Sequence, residues 1–281
     1  MDFYIIPTLY DMELMHKGDR YFCLAHLYNT NTAYREFFRW QKRLGKFITL
    51  DNGAAEHSLV TNEVLLACIR DLKPNEVILP DTLFDCDKTF LNAVNFLKIL
   101  EEEFPIQMPL AYRPGIFVVP QGDTESSWKQ CFTKLFELFV NYRAQIVFGF
   151  SKIAVPKCFG KWDDNGFQWD QQIAESRQIA IDWATQYVDN HEHKSHVAFH
   201  CLGAGDVREF EHYVDNSYVR SFDSCIAVWS ALCNIELPSE LRPKTPHDYF
   251  LQKLSSPQKE LALKNIEVIK NICHKKHENS F

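Results

Sequence analysis

Several features that place a chain in a familiar class are missing from this sequence. No apolar run approaches the roughly 18 residues that a membrane-spanning helix requires. The first residues carry Asp2 and only a brief apolar run before Pro7, so they lack the basic and apolar regions of a signal peptide. Nine cysteines are present without any Cys-x-x-Cys pair, which disfavours a zinc cluster and a disulfide framework. We therefore expect a cytoplasmic protein with reduced thiols, no bound metal and no membrane partner.

Cofactor signatures and excess basic charge are also lacking. The chain contains no Gly-x-Gly-x-x-Gly or P-loop pattern, and Gly203-Ala204-Gly205 lacks the remaining glycine, so we expect no nucleotide cofactor. The formal net charge of −7 argues against a surface coated with basic residues. Local basic patches could still hold a phosphate backbone, because binding depends on where cations cluster.

The composition and the hydrophobic pattern indicate a globular α/β protein. The 281 residues are 46% hydrophobic and 14% aromatic, which is enough to bury a large core. Strand-like runs occupy residues 3–6, 21–27, 46–50, 76–79, 115–119, 145–148, 196–202 and 219–222, and helical stretches occupy 62–72, 89–102, 127–141, 171–190 and, with a polar tail, 257–281. This alternation predicts one domain over residues 1–281, a (β/α)8 TIM-like barrel. A doubly wound open sheet is the alternative, because the connection from Pro7 to Arg20 is short for a full crossover.

Two aspartates stand out at the downstream ends of strand-like runs. Asp51 ends Ile48-Thr49-Leu50-Asp51 before Asn52-Gly53, and Asp223 ends Val219-Arg220-Ser221-Phe222-Asp223 before Ser224. Alternating β/α folds keep their chemistry at such positions, and two carboxylates suggest an acid/base or nucleophile pair. Each also has a structural interpretation. Asp51-Asn52-Gly53 is typical of a turn, and Asp223-Ser224 could cap the helix that begins near Cys225.

Taken in order, the predicted strand ends resemble the motifs of the tRNA-guanine transglycosylase superfamily, whose members exchange a guanine in nucleic acid for a 7-deazaguanine. The segment Asp51-Asn52-Gly53-Ala54 is similar to the family's Asp-Ser-Gly-Gly motif, and Pro80-Asp81 is similar to its Phe-Asp base-recognition motif. The segment Pro120-Gln121-Gly122-Asp123 is similar to its Val-Gln-Gly-Gly motif, and residues 151–156 are similar to its Gly-Gly-Leu-Ala-Val-Gly motif. Residues 201–205 are similar to its Leu-Met-Gly-Val-Gly motif, and Phe222-Asp223 matches its Phe-Asp nucleophile motif. The resemblance spans residues 21–229. The order of the motifs is more specific than any one of them.

The resemblance implies a role for each matching residue. Asp223 matches the nucleophile that traps the sugar as a covalent glycosyl-enzyme, and Asp51 matches the general acid/base that moves protons between the two bases. Asp81 and Gln121 would hydrogen-bond the edge of the purine, although Asp81 could instead cap a helix and Asp85 is its rival. The remaining pocket positions would be Ser151, Lys152, Leu202 and Gly203.

The chain also departs from the family. The bacterial and eukaryotic enzymes carry Pro-Thr-Arg and a Cys-x-Cys-x-x-Cys…His zinc module after the nucleophile, whereas this chain reads Ser224-Cys225-Ile226 after Asp223, so we expect a barrel without the zinc-binding subdomain. We also expect no appended RNA-binding domain like that of the archaeal enzymes. Where the family stacks the base between an aromatic residue and a methionine, this chain has Ala55 and Leu202, and nearby Glu56 has no assigned role.

These departures make the chain most similar to the compact phage-type DNA-guanine transglycosylases, which modify viral DNA and protect it from restriction nucleases. The expected partners are a free 7-deazaguanine and duplex or locally unpaired DNA, whose target guanine must leave the stack; a viral enzyme would work in the host cytoplasm. Lys152, Lys157 and Lys161 are the candidates for holding the DNA backbone. Base exchange on tRNA and a non-catalytic nucleic-acid-binding or partner subunit remain alternatives, and a homodimer or a helper protein is left open.

Overall fold

Strands and helices alternate along the chain. The structure is a computed structural model that describes residues 1–54, 60–105, 112–140, 145–160, 169–192, 196–239 and 244–274. The strands are β1 (Asp2–Ile5), β2 (Tyr21–Leu24), β3 (Ile48–Asp51), β4 (Glu76–Ile78), β5 (Gly115–Val118), β6 (Ile146–Ser151), β7 (Val197–Leu202) and β8 (Val219–Ser224). The helices are α1 (Ala25–Thr30), α2 (Thr32–Arg43), α3 (Asn62–Leu72), α4 (Cys86–Glu103), α5 (Glu125–Phe139), α6 (Ala154–Phe159), α7 (Trp169–Asp189), α8 (Val207–Tyr213), α9 (Ile226–Leu232) and α10 (Ser256–His274), with 3-10 turns at Met12–Lys17 and Tyr249–Leu251.

The strands that the structure describes form one eight-stranded sheet in the order β1-β8-β7-β6-β5-β4-β3-β2. The pairs β1/β8, β3/β4, β4/β5 and β5/β6 are all parallel. Tyr4, in β1, also forms a parallel bridge with Arg20, which directly precedes β2, so the two ends of the strand order are joined. The predicted (β/α)8 barrel class is confirmed, and the alternative of an open doubly wound sheet is wrong.

One predicted strand is too long, and its downstream part is helical. The run predicted at 21–27 ends as a strand at Leu24, and α1 begins at Ala25. In α2, which follows at once, the side chain of the N-cap residue Asn31 accepts a hydrogen bond from the Tyr34 backbone N–H at 2.9 Å. Tyr34 and Phe38 are both buried, one helical turn apart. An asparagine followed by this aromatic spacing is a helix signal that the sequence interpretation missed.

The internal contacts divide the chain into two compact units. The central unit is Cys23–His200, and the terminal unit combines Met1–Phe22 with Cys201–Phe281. The single-domain expectation stays a prediction. Helix α10 of the terminal unit matches the helix predicted from residue 257, whereas the tail 275–281 lies outside the described residues. No helix in the described ranges is long and apolar enough to cross a membrane.

Aromatic side chains fill the core of the terminal unit. The ring of Phe222, in β8, stacks on Phe3 in β1 and on Phe210 in α8, with centroid separations of 5.1 and 4.0 Å. The buried Asn265 side chain of α10 donates to the carbonyl of Ala227 in α9 at 3.2 Å. These contacts hold α8 against β8 and α10 against α9.

The central unit has its own aromatic core beneath α5 and α7. Phe132 of α5 lies 4.4 Å from Phe148 of β6 and 5.7 Å from Trp128 between ring centroids. Helix α5 begins with a capping box in which Thr124 and Ser127 satisfy each other's backbone N–H groups. The start of α5, and therefore the end of β5 before it, is held in a defined position.

Candidate active site

The carboxyl end of β3 is a tight turn built on Asp51. Asp51 is the last residue of the strand and is buried, and its Oδ2 atom accepts a hydrogen bond from the Gly53 N–H at 3.1 Å. Gly53 has φ +82°, which a residue with a Cβ rarely adopts. The turn interpretation of this motif is therefore correct, and it holds the Asp51 carboxylate in place at the strand end.

Asn52 lies inside this turn and points into the protein. Its Nδ2 atom donates to the Leu79 carbonyl at 2.7 Å and to Asp81 Oδ1 at 2.8 Å, and its Oδ1 atom accepts from the Ala54 N–H at 2.8 Å. The last bond fixes the orientation of the amide, because an oxygen must face the Ala54 N–H. Sequence reasoning did not assign Asn52 to the site, although a buried amide next to a strand-end carboxylate is a usable signal.

Gln121 reaches the same carboxylate from the end of β5. Its Nε2 atom donates to Asp81 Oδ2 at 2.6 Å, and its Oε1 atom accepts from the Phe84 N–H at 3.2 Å. Phe84 has φ +65°, so this bond secures a backbone conformation that a phenylalanine rarely adopts. The amide of Gln121 is thus oriented in the same way as that of Asn52, with its NH2 group towards Asp81.

Asp81 is the centre of this network and is only 4% exposed. Burial raises the pKa of Asp81 from 3.8 to about 6, against the opposing effect of the hydrogen bonds from Asn52 and Gln121. A carboxylate has about four acceptor positions, and the two amides occupy one on each oxygen. The carboxyl group is therefore held by one amide on each oxygen, and its pKa of about 6 lies above its ordinary value.

Asp85 has a different role from its neighbour four residues earlier. It is the N-cap of α4, where Oδ1 accepts from the Lys88 N–H at 2.9 Å, and it pairs with the Lys88 ammonium at 2.9 Å. The backbone hydrogen bond from Lys88 lowers the pKa of Asp85. Helix capping by Asp81, one of the structural interpretations, is therefore wrong, because Asp85 performs it.

Gly122 allows β5 and α5 to approach each other closely. A Cβ atom at this position would lie 2.4 Å from the Trp128 backbone N and 2.7 Å from its Cα. The Gly122 carbonyl also accepts a hydrogen bond from the Cys158 thiol of α6 at 3.1 Å. Since Gln121 directly precedes this contact, the glycine helps to set the direction of the Gln121 side chain.

The end of β6 contributes a serine and two of the predicted lysines. Ser151 is buried and its Oγ atom accepts from the N–H groups of Ile153 and Ala154, at 3.1 and 3.2 Å, where α6 begins. Lys152 is half-buried. On α6, the Lys157 ammonium lies 3.9 Å from the centroid of the Phe84 ring. Lys157 therefore contacts the loop that Gln121 holds.

Three residues named from the sequence lie outside the described residues. These are Ala55, Glu56 and Lys161. Their assignments stay as stated from the sequence.

In the terminal unit, Asp223 is held by backbone groups. It lies within β8 and is 4% exposed; its Oδ1 atom accepts from the Gly203 N–H at 3.0 Å, and its carbonyl accepts from the Ala204 N–H at 2.9 Å. Gly203 has φ +65° and follows Leu202, the half-buried last residue of β7. The N-cap residue of α9 is Cys225, whose side chain makes no capping bond. Of the two residues that the alternative interpretation offered as a cap, Ser224 accepts from the Ile226 N–H through Oγ at 3.0 Å, and Asp223 accepts from the Gly203 N–H.

Four of the predicted residues are hydrogen-bonded in two pairs, each within one unit. Gln121 donates a hydrogen bond to Asp81, and Asn52 donates to the other oxygen of the same carboxylate. Asp223 is joined to Gly203. In the part of the chain that the structure describes, no group of three or more His, Cys, Asp or Glu could hold a metal ion, and the cysteines are free.

Comparisons with known proteins add little to this description. No family model matches the chain, and no curated protein matches it. Solved structures similar to the chain include a fructose-bisphosphate aldolase (Fba) from Campylobacter jejuni, with 11% identity, a TM-score of 0.39 and coverage of 97% of this chain and 94% of that chain. So weak a likeness carries no argument about function. Neither finding tests the resemblance to the tRNA-guanine transglycosylases, so function must be argued from the residues of the site.

Proposed function

We propose that this protein is a base-exchange transglycosylase that replaces guanine in DNA with a 7-deazaguanine, such as 7-cyano-7-deazaguanine. The observation that carries the proposal is the network of Asn52, Asp81 and Gln121, in which a buried carboxylate is held by two oriented amides. Burial raises the pKa of this carboxylate to about 6, and functional sites are enriched in groups with such shifted pKa values. Burying the Asp81 carboxylate costs stability, and binding a ligand would be a reason to keep it there.

The chemistry of this carboxylate fits the edge that guanine and 7-deazaguanine share. Both bases present N1–H and a 2-amino group side by side, and they differ at position 7. After the bonds from Asn52 and Gln121, ionised Asp81 still has one acceptor position on each oxygen for these two donors. Adenine has neither donor in that arrangement and would leave buried acceptors unpaired, which is costly. One carboxylate can therefore hold the leaving and the arriving base in turn.

The proposed reaction has two displacements at the anomeric carbon. The Asp223 carboxylate attacks C1′ of the nucleotide, the glycosidic C–N bond breaks, and Asp51 gives a proton to the departing guanine. The 7-deazaguanine nitrogen then attacks C1′, its proton passes to Asp51, and the ester bond to Asp223 breaks. The enzyme ends in its starting state. These two roles come from the sequence resemblance, and the hydrogen bond from Gly203 to Asp223 supports a fixed orientation for the nucleophile.

DNA is the proposed polymer, with the lysines near the Phe84 loop contacting its backbone. Lys157 lies against the Phe84 ring and Lys152 follows Ser151, so both cations lie beside residues assigned to the base site. A lysine that contacts one phosphate releases about one counterion, so removing it should reduce the salt dependence of DNA binding by about one unit of slope. Modification of this kind would protect viral DNA from restriction nucleases.

The test is incorporation of radiolabelled guanine into duplex DNA, with total tRNA in a parallel reaction. Asp223→Asn removes the nucleophile but keeps an oxygen for the Gly203 N–H, and Asp215→Asn, at an exposed position of the same unit, is the matched control. We expect label in DNA with the parent protein and Asp215→Asn, and none with Asp223→Asn. Label only in tRNA would move the activity to RNA, and label in neither would favour a non-catalytic protein.

A further inference from the structure

The loop that follows β7 supplies the backbone groups that hold Asp223. Gly203 donates to the Asp223 carboxylate at 3.0 Å and Ala204 donates to its carbonyl at 2.9 Å. The Ser224 hydroxyl in turn donates to the Ala204 carbonyl. The position of this loop therefore determines where the N–H group that contacts Asp223 lies.

Glu209, on the first turns of α8, braces this loop from the other side. It is 1% exposed, and its Oε2 atom accepts from the Gly205 N–H at 3.2 Å while its Oε1 atom accepts from the Tyr213 hydroxyl at 3.2 Å. Tyr213 is buried as well. Burying a carboxylate is costly unless it is hydrogen-bonded. Glu209 is thus a buried carboxylate with a hydrogen bond to each of its oxygens, and it does not lie on the exposed surface of the helix.

Glu209 reaches one residue further back than the usual contact of a glutamate at its position. Asp206 is the N-cap of α8 and accepts from the Arg208 N–H at 3.0 Å. A glutamate three residues after the N-cap normally bonds back to the N–H of the N-cap residue itself. Here it bonds to Gly205, one residue earlier, inside the loop that contacts Asp223.

We propose that Glu209 is a positioning residue for Asp223, acting through the loop Gly203–Gly205. This inference rests on the proposed function for its catalytic consequence, but its structural part can be tested without any activity. The rival explanation is that Glu209 only stabilises the start of α8. The two explanations differ in what happens at Gly203 and Ala204 when Glu209 is changed.

Four variants separate these explanations. Glu209→Ala removes both acceptors, and Glu209→Gln keeps an oxygen for Gly205 while Tyr213, whose hydroxyl can also accept, faces the new NH2 group. Tyr213→Phe removes only the donor to Glu209. Glu211→Ala, at an exposed position of the same helix, is the matched control.

The first measurement is amide hydrogen exchange. We expect Glu209→Ala to accelerate exchange at Gly203 and Ala204 by about tenfold or more, because their bonds to Asp223 open more often. Glu209→Gln and Glu211→Ala should match the parent protein, and Tyr213→Phe should lie between. If Glu209→Ala changes only Gly205 and α8, or does not fold and Tyr213→Phe leaves Gly203 unchanged, the inference is overturned.

The second measurement is the kinetics of base exchange. Glu209→Ala should lower kcat about tenfold with little change in KM for the base, since a small misplacement of a reacting group slows the chemical step. Glu209→Gln should restore the rate. An equal loss in Glu209→Gln with normal exchange at Gly203 would show that charge matters and would overturn the positioning role. If the parent protein exchanges no base, the proposed function fails, and hydrogen exchange alone decides the inference.

Discussion

Two buried aspartates, Asp81 in the central unit and Asp223 in the terminal unit, are held by different kinds of donor. Side-chain amides of Asn52 and Gln121 hold Asp81, whereas the backbone N–H of Gly203 holds Asp223. Oriented amides create a rigid pattern of acceptors suited to recognising a ligand. A backbone N–H at a loop fixes the direction of a carboxylate, which suits a group that must attack one atom. In the proposed reaction, Asp81 recognises the base and Asp223 attacks the sugar.

The largest effect should follow from removing the reacting carboxylate. We expect Asp223→Asn to lower base exchange by at least ~10³-fold, because an amide oxygen is a poor nucleophile. Binding of free 7-deazaguanine, measured by calorimetry, should change little, since Asp81 is intact. Loss of base binding in this variant would contradict the proposal that Asp81 binds the base without help from Asp223.

The complementary change at the recognising carboxylate should act on binding. In Asp81→Asn the NH2 groups of Asn52 and Gln121 both still point at residue 81, but an asparagine can accept through only one of its two terminal atoms. We expect base affinity to fall by roughly 10²-fold, since charge-assisted hydrogen bonds are lost. The same titration measures it. Unchanged affinity would remove Asp81 from recognition.

The buried Asp81 carboxyl group should make the free energy of unfolding depend on pH. Because its pKa is about 6 in the folded protein and 3.8 is its ordinary value, the folded state binds this proton more tightly than the unfolded chain. The stability from protonation is present below about pH 4 and is lost as the pH rises through about 6. The unfolding free energy of the parent protein relative to Asp81→Asn should therefore fall by about 3 kcal/mol over this interval. Urea unfolding at several pH values measures it, and a flat difference would contradict the burial argument.

The glycine beside Gln121 offers a packing test of the central unit alone. Gly122→Ala would place a Cβ within 2.4 Å of the Trp128 backbone N, so α5 or the strand end must shift. We expect a loss of about 1–3 kcal/mol in stability and weaker base binding, because Gln121 moves with the strand end. Alanine at the exposed Gly45, where no atom lies within 4 Å, is a comparison that tests only the effect of a positive φ. Normal base binding in a destabilised Gly122→Ala variant would show that the position of Gln121 does not depend on the packing of Gly122.

The smallest effect is expected at Asp85, which lies four residues after Asp81 and caps α4. Asp85→Ala removes the N-cap of α4 and should cost about 1 kcal/mol of stability. Base exchange should be unchanged, because Asp85 bonds to Lys88 and not to the network of Asp81. Thermal unfolding and the label assay measure the two effects. A loss of exchange here, larger than in Asp81→Asn, would restore Asp85 as the recognising residue.

Much of the fold was predictable because strand ends carry distinctive residues. The runs that became β3 to β8 were found from apolar stretches followed by polar or glycine residues. The short helices α1, α6 and α8 were missed as elements, because six or seven residues show too few turns for periodicity to register. Helix α2 was missed although it has 12 residues, so short length explains only some of the missed helices.

Asp51 and Asp223 were named from their positions at strand ends, and Asp81 and Gln121 were named from the family resemblance. The structure shows that Gln121 donates to Asp81, and the catalytic roles stay predictions. Asn52 and Glu209 were not named as site residues, because their importance comes from which backbone groups their side chains meet across the fold. Sequence also left Asp81 and Asp85 as rivals, and only the capping bond to Lys88 separates them.

The most direct test of the central claim is a search for the covalent intermediate. The protein would be incubated with duplex DNA, denatured, digested and analysed by mass spectrometry for a peptide joined to a nucleotide sugar. The account predicts an adduct on Asp223 that forms with the parent protein and Asp215→Asn, disappears on adding free guanine or 7-deazaguanine, and is absent from Asp223→Asn. An adduct on another residue, or base exchange without any adduct, would contradict it.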